Sequence, residues 1–337
     1  MVVEGNASSV HREGRTARKL LDDSREAIAR DVGAIAPMIS FTSGGSEANN
    51  LAIKGAPVER ILVSAIEHPS VIEATKAVPK PAELIPVTPE GVVDLEALAK
   101  MLDGPKALVS VMLANNETGI IQPLREIVAV AQVKGALVHT DAVQAFGKIP
   151  VNFGLLGVDM MTLAAHKVGG PTGIGALVVR DGLALEPLIY GGGQELRRRA
   201  GTENLIGIAG FAALAKQNTL DVSVLRGRLE AALEDAVIFG GNAPRLSNTV
   251  NFSYPGMSAE TLLMNFDLEG VAVSSGSACS SGKVSKSHVL TAMGVPSDLA
   301  RGAIRVSLGW NTTSEHIEHF ITVWRKLLAR HKAKAAA

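Results

Sequence analysis

Between residue 39 and about residue 180, short apolar runs alternate with segments whose apolar residues recur at helical spacing. ISFTSG, RILVSAIEH, ALVSVMLANNE, GALVHTDAV, DMMTLAAHK and GIGALVVR are rich in Val, Ile and Leu and predict strands buried on both faces. SEANNLAIKGA, PSVIEATKAV, DLEALAKML and PLREIVAVAQVKG predict the helices between them, with Asp94 as an N-cap and Gly135 as a C-cap. This alternation implies a mainly parallel sheet covered on both sides. After about residue 215 the pattern changes. A helix in VLRGRLEAALEDA is followed by LSNTVNFSY, GVAVSS and IRVSLGW, then by a final helix from about Ser314. The expected organisation is a large α/β domain over 12–218 and a smaller α+β domain over 219–337, with residues 1–11 a candidate to pack on the latter.

A parallel sheet binds ligands where its strands end. Here SGGSE follows ISFT, EH follows ILVSAI, NNETG follows VSVMLA, HTDAVQ follows GALV, and AHK follows DMMTLA. Five successive strand ends carry polar residues in apolar surroundings, as one shared site would.

Composition narrows the classes. Charge is balanced, 33 Lys+Arg against 33 Asp+Glu, which argues against a nucleic-acid or membrane-surface role. A single cysteine excludes an internal disulfide and a multi-cysteine metal site, and points to the cytoplasm. The start has no apolar leader and no later run is long enough to span a bilayer. That one thiol, Cys279, lies in SSGSACSSG, among small residues that leave a sulfur reachable.

Lys167, in LAAHKVGGPTG, ends an apolar strand and precedes glycines. A desolvated lysine there is a nucleophilic amine of the kind a Schiff-base enzyme uses. Pyridoxal 5'-phosphate (PLP) further needs a phosphate cup, a carboxylate for its ring nitrogen, a group on its ring face and a donor for its phenolate oxygen. Ser43-Gly44-Gly45-Ser46 sits between a strand and a helix and offers helix-terminal N–H groups with the Ser46 hydroxyl. Asp141, at a strand end, is a candidate for the carboxylate, and Gln144 can reach the same ligand. His68, with Pro69 after it, opens a helix where its imidazole can stack on a ring or move protons.

HTDAVQ followed by AAHKVGGPTGIGAL resembles the PLP site of the class V aminotransferase group. FTSGGSEANNLAIKG, NNETG, GGGQELRRRAGTEN, SSGSACSSG and IRVSLGWNTT are similar to the cysteine desulfurases within it, and the SSGSAC loop to their iron–sulfur and nitrogenase branch. The resemblance runs over nearly the whole chain. It implies the type I PLP-dependent transferase fold, with a mainly parallel seven-stranded sheet in the large domain and a smaller C-terminal α+β domain. It implies that Lys167 carries the cofactor, Asp141 pairs with its ring nitrogen, His68 stacks on the ring and Gln144 bonds the phenolate oxygen. Asn116 would sit beside cofactor and substrate, and Gly45, Ser46 and His166 in the phosphate cup. Thr202 would reach the phosphate of a neighbouring subunit in a homodimer. Arg305 would clamp the carboxylate of L-cysteine, and Cys279 would take its sulfur as a persulfide and pass it to an acceptor protein such as an iron–sulfur scaffold.

The chain departs from this family's pattern in lacking the upstream segment with its Leu-Asp and Ala-Thr-Thr stretches. It has Ala164 where a phosphate-binding serine is usual, Leu196 where Arg often follows Glu, and a short stretch between Gln217 and Val224. Rival readings are a selenocysteine lyase or cysteine-sulfinate desulfinase on the same fold, and a PLP-free scaffold. GPTGIG and YGGGQE do not open a helix after a first strand, which sets aside a dinucleotide-binding dehydrogenase.

Overall fold

The apolar runs of the first half assemble into one sheet. In this computed structural model, which describes residues 5–215, 220–276 and 286–336, its strands are β1 (Ile39–Thr42), β2 (Arg60–Ser64), β3 (Ala82–Ile85), β4 (Ala107–Ser110), β5 (Leu137–Asp141), β6 (Met160–Ala164) and β7 (Gly175–Val179). Their spatial order is β1-β7-β6-β5-β4-β2-β3. The strands from β2 to β6 pair in parallel. β7 pairs antiparallel with both β6 and β1, so β1 runs with the majority and β7 alone is reversed. One end of the sheet therefore gathers the carboxyl ends of six strands.

Among the described residues, seven α-helices accompany this sheet: α1 (Arg12–Asp31), α2 (Gly45–Gly55), α3 (Pro69–Lys76), α4 (Leu95–Met101), α5 (Leu124–Val133), α6 (Phe153–Leu156) and α7 (Leu205–Ala212). α2 buries Ala48, Leu51 and Ala52, on one helical face, in a cluster with Ile61, Val63, Leu108 and Leu177. Each fully buried Leu or Ile there contributes roughly 1.5–3 kcal/mol over its exposed state. The turn into α2 passes so close to β7 that a Cβ on Gly175 would lie 2.6 Å from the Gly44 carbonyl carbon. α1, β3 and α7 were not predicted by the hydrophobic pattern. α1 buries a face that mixes Ala17, Leu21 and Ile28 with Ser24 and Arg25, and three of the four residues of β3 are exposed.

The chain divides into two compact units. The first holds the described parts of Met1–Ile85, Asp94–Ala114 and Gln122–Thr219; the second holds those of Pro86–Val93, Asn115–Ile121 and Leu220–Ala337. The second unit has an antiparallel sheet of β8 (Val237–Ile238), β9 (Thr249–Ser253), β10 (Ser274–Ser275) and β11 (Ile304–Ser307), in the order β10-β11-β9-β8. Its helices are α8 (Ser223–Ala231), α9 (Ala259–Leu268), α10 (His288–Ala292), α11 (Ser297–Arg301) and α12 (Ser314–Ala336). Trp324 of α12 is fully buried, with the Phe252 ring edge-on at 5.3 Å and the Phe266 ring stacked at 6.5 Å. The insert 115–121 is tied down by Leu246 N–H donating to Gly119 O at 2.9 Å and Ile121 N–H donating to Pro244 O at 2.8 Å. Among the described residues no helix is long and apolar enough to cross a membrane.

Candidate active site

Asp141 ends β5 and is 5% exposed. Its Oδ1 accepts from Val143 N–H at 2.9 Å and its Oδ2 from the Asn49 amide at 2.7 Å. Asn49 also donates to the Ser70 hydroxyl at 2.9 Å, and that hydroxyl lies 2.7 Å from Nδ1 of His68. His68 caps α3, its Nδ1 accepting from Ser70 N–H at 3.1 Å. A backbone donor on Nδ1 places the proton of the neutral ring on Nε2. The sequence joined His68 and Asp141 to one site; the structure supplies the connection, through Asn49 and Ser70, which were not singled out. Asn49 lies one turn after Ser46 on α2, so helical spacing was the signal available for it.

Two buried carboxyl groups compete here. Glu67 is fully buried, and burial, followed by repulsion from Asp141, pushes it well above the ordinary carboxylate range; a 2.5 Å bond from Met112 N–H opposes this. Burial pushes Asp141 up as well, but Asn49, Val143 N–H, His68 and Lys167 all favour its charged form. Glu67 therefore keeps the proton and Asp141 the charge. His139, one strand layer below, is pushed down to about 3 by burial and stays neutral between Ser110 and Thr162.

The turn Ser43–Ser46 leads into α2, whose first N–H groups have no helical acceptor. Glu47 accepts from Ser43 N–H at 2.9 Å and from Arg199 Nε at 2.9 Å, bringing a guanidinium to the cup. Ser43, Arg199 and Thr202 line a cavity of about 190 Å³. Ala164 is fully buried; a Cβ on Gly45 would lie 3.6 Å from the Ala164 Cβ, so the methyl faces the start of α2.

Lys167 and His166 lie in the 3-10 turn Ala165–Val168 after β6. Both are exposed, because the turn carries them past the end of the sheet. This corrects the sequence-based expectation of a desolvated lysine in this unit. His166 is pushed down by partial burial and then by Lys167. Gln144 is half-buried, and its carbonyl oxygen accepts from Lys148 at 2.8 Å, which leaves its amide as the donor.

The segment carrying Arg199 and Thr202 has unusual backbone. Glu195, Leu196 and Arg197 have φ of 46°, 56° and 64°, three consecutive non-glycine residues in left-handed conformation. The turn is pinned by Glu195, which accepts from Arg25 at 2.6 and 2.8 Å and from Phe41 N–H at 2.8 Å, with 2% of its side chain exposed.

The second unit holds Asn116 and Arg305 together. Arg305, on β11, donates from Nη1 to the Asn116 carbonyl at 2.8 Å. Cys279 lies outside the described residues.

A family model described as Aminotransferase class-V matches residues 2–320. The chain is 41% identical to Cysteine desulfurase IscS of Dictyoglomus turgidum, over 97% of this chain and 88% of that protein. The chain belongs to the cysteine desulfurases of this family. A Cysteine desulfurase of Nostoc is 40% identical over 98% of this chain and 87% of its own length. Among solved structures, a NifS-like protein from Rickettsia africae has a TM-score of 0.87 at 37% identity, covering 97% of this chain and 92% of its own. SspA, solved in complex with cysteine, has a TM-score of 0.81 at 32% identity, covering 91% of each chain.

The cofactor of this desulfurase family is PLP, and the residues of the first unit fit it. A charged carboxylate is buried at a strand end, and an imidazole is fixed to it through two hydrogen-bonded side chains. A glycine-lined helix start with a nearby guanidinium suits a phosphate, and Lys167 acts on Asp141 from the next strand end.

Proposed function

We propose that this chain is a PLP-dependent cysteine desulfurase that converts L-cysteine to L-alanine and holds the released sulfur on Cys279. The observation that carries this is the run Asp141–Asn49–Ser70–His68, which fixes an ionised carboxylate and an Nε2-protonated imidazole at the sheet end that also bears Lys167. PLP, when bound, supplies an electron sink for the bonds at the substrate's Cα. Asp141 would hold the ring nitrogen, His68 the ring face, Gln144 the phenolate oxygen, and Gly45, Ser46, His166 and Thr202 the phosphate. Lys167 would carry the cofactor and move the Cα proton. Asn116 would orient cofactor and substrate, and Arg305 would grip the substrate carboxylate with its planar fork. The Cys279 thiolate would attack the substrate's sulfur. L-cysteine and the enzyme thiol become L-alanine and an enzyme persulfide, a redox-neutral exchange with no other reactant.

The persulfide sulfur would pass to an acceptor protein for iron–sulfur cluster or related cofactor assembly in the cytoplasm. The working unit would be a homodimer in which Thr202 reaches the partner's phosphate. Leu188, Ile189, Tyr190, Leu196 and Ile206, all exposed and flanking the Thr202 segment, support a second copy on this face. The test is Cys279→Ser. It should keep the visible absorbance of bound PLP and lose sulfide and alanine production. Retained desulfuration would favour the lyase or desulfinase reading, and a colourless protein that takes up no PLP would favour the scaffold.

A further inference from the structure

Ser70 is the second residue of α3, and two neighbouring amides of α2 hold it. Asn49 donates to its hydroxyl at 2.9 Å and Asn50 to its carbonyl at 3.5 Å. Ser70 in turn presents its hydroxyl, at 2.7 Å, and its N–H, at 3.1 Å, to the same atom, Nδ1 of His68. All of these residues, with Asp141, lie in the first unit.

Every bond in this run has a direction, and the direction starts at the carboxylate. Ionised Asp141 can only accept, so Asn49 must turn its NH2 group toward Oδ2. The second hydrogen of that group then goes to the Ser70 hydroxyl oxygen. Asn49 Oδ1 is left with no partner among the described residues, although Asn49 is 1% exposed. The opposite amide orientation would set that oxygen against the carboxylate, so the orphaned Oδ1 is the lesser cost. With its oxygen accepting from Asn49, the Ser70 hydroxyl donates its own hydrogen to Nδ1, where the Ser70 N–H already points. A ring nitrogen that accepts carries no hydrogen, which puts the ring proton on Nε2. Asp141 on β5 would attract an imidazolium at His68, while Lys167 after β6 acts on the same carboxylate and burial disfavours charge on Glu67. An imidazolium would need a proton on Nδ1, against two donors aimed at that atom.

We propose that Ser70 is a positioning residue for His68: it carries the polarity of Asp141, received through Asn49, to Nδ1 and so makes His68 a hydrogen-bond donor from Nε2 and not a proton acceptor. The proposal rests on the reading of His68 as the group on the face of the cofactor ring. A donor-only His68 leaves the Cα proton to Lys167. It also favours a ligand atom with a lone pair or negative charge, such as the thiolate or carboxylate of L-cysteine, over an ammonium group.

Holoenzyme with isotope-labelled histidine nitrogens tests this. A two-bond proton–nitrogen NMR spectrum separates a ring nitrogen that carries hydrogen from one that accepts, and the His68 signals are those missing from His68→Gln. The native protein should show a single tautomer, with Nε2 protonated and Nδ1 accepting. In Ser70→Ala and in Asn49→Ala the Nδ1 signal should move toward that of an unbonded ring nitrogen. Ser70→Thr keeps the hydroxyl and should leave the signal in place. At saturating PLP, kcat for L-cysteine should fall about three- to tenfold in Ser70→Ala, the effect of one neutral hydrogen bond, and recover in Ser70→Thr. A merely structural role would lower Tm and leave the Nδ1 signal where it was. A proton on Nδ1 in the native protein, or an unmoved Nδ1 signal in Ser70→Ala, would overturn the proposal. Spectra with and without PLP separate the two levels. His68 signals indifferent to PLP sink the ring-face reading and this inference together, while signals that respond to PLP with Nδ1 protonated sink the inference alone.

Discussion

The side-chain amide of Asn49 lies 2.7 Å from Oδ2 of Asp141 and 2.9 Å from the Ser70 hydroxyl, so one residue of α2 joins the carboxylate at the end of β5 to the imidazole at the start of α3. A hydrogen bond to a charged group contributes roughly 1.5–3 kcal/mol. Asn49→Ala should therefore weaken PLP retention about tenfold or more, read as faster loss on dialysis. Unchanged retention would show that Asp141 is held without it.

Burial favours the neutral form of Glu67 over the charge that the Met112 N–H would favour, so Glu67→Gln should preserve the bond. The sign follows from proton counting. Glu67 has a raised pKa in the folded protein, so its contribution to stability is complete below the unfolded carboxylate value and is lost as pH climbs through the folded one. Glu67→Gln should melt with the native protein near pH 5 and above it near pH 8. A variant less stable at both values would show that the glutamate is charged.

The hydroxyl introduced by Ala164→Ser would face the start of α2, since the Ala164 methyl faces Gly45. It should slow PLP loss about ten- to hundredfold, the effect of one bond to a charged phosphate. Unchanged PLP loss with a lower Tm would mean a buried hydroxyl without a partner.

Arg25 and Glu195 form a buried two-pronged pair at 2.6 and 2.8 Å. Arg25→Ala leaves the carboxylate uncompensated and should cost about 3–5 kcal/mol, measured by denaturant unfolding. A loss below about 1 kcal/mol would place the pair among exposed bridges.

Arg197 holds φ at 64° without being glycine. Such a conformation costs about 1–2 kcal/mol for an L side chain, part of which glycine returns as unfolded-chain entropy. Arg197→Gly should raise stability by up to about 1 kcal/mol, seen as a higher Tm.

The sheet was legible in the sequence because β2, β4, β5 and β6 are buried throughout or nearly so and read as unbroken apolar runs. Lys167, Asp141, His68 and Ser46 were legible because each stands where such a run ends. β3 escaped because AELI shows water three of its four side chains, and α1 because Ser24 and Arg25 interrupt its apolar face. Asn49 and Glu67 escaped for a different reason: a buried amide and a buried acid look like surface residues until their partners are known. The left-handed turn at Glu195 had no signal at all, since glycine marks such turns and here none is present at the three positions.

The second unit takes its residues from three separate stretches of chain, and the earliest of them reach their partners late. Glu117 is held by Asn251, and Gly119 by Leu246, more than a hundred positions further on. During synthesis, at roughly 5–20 residues per second, the insert emerges about ten seconds before the strand that fastens it. Its backbone groups must spend that interval bonded to water or to a chaperone. A message truncated after α7 would leave the 115–121 insert without Asn251 and Leu246, so the second unit cannot be recovered from such a piece.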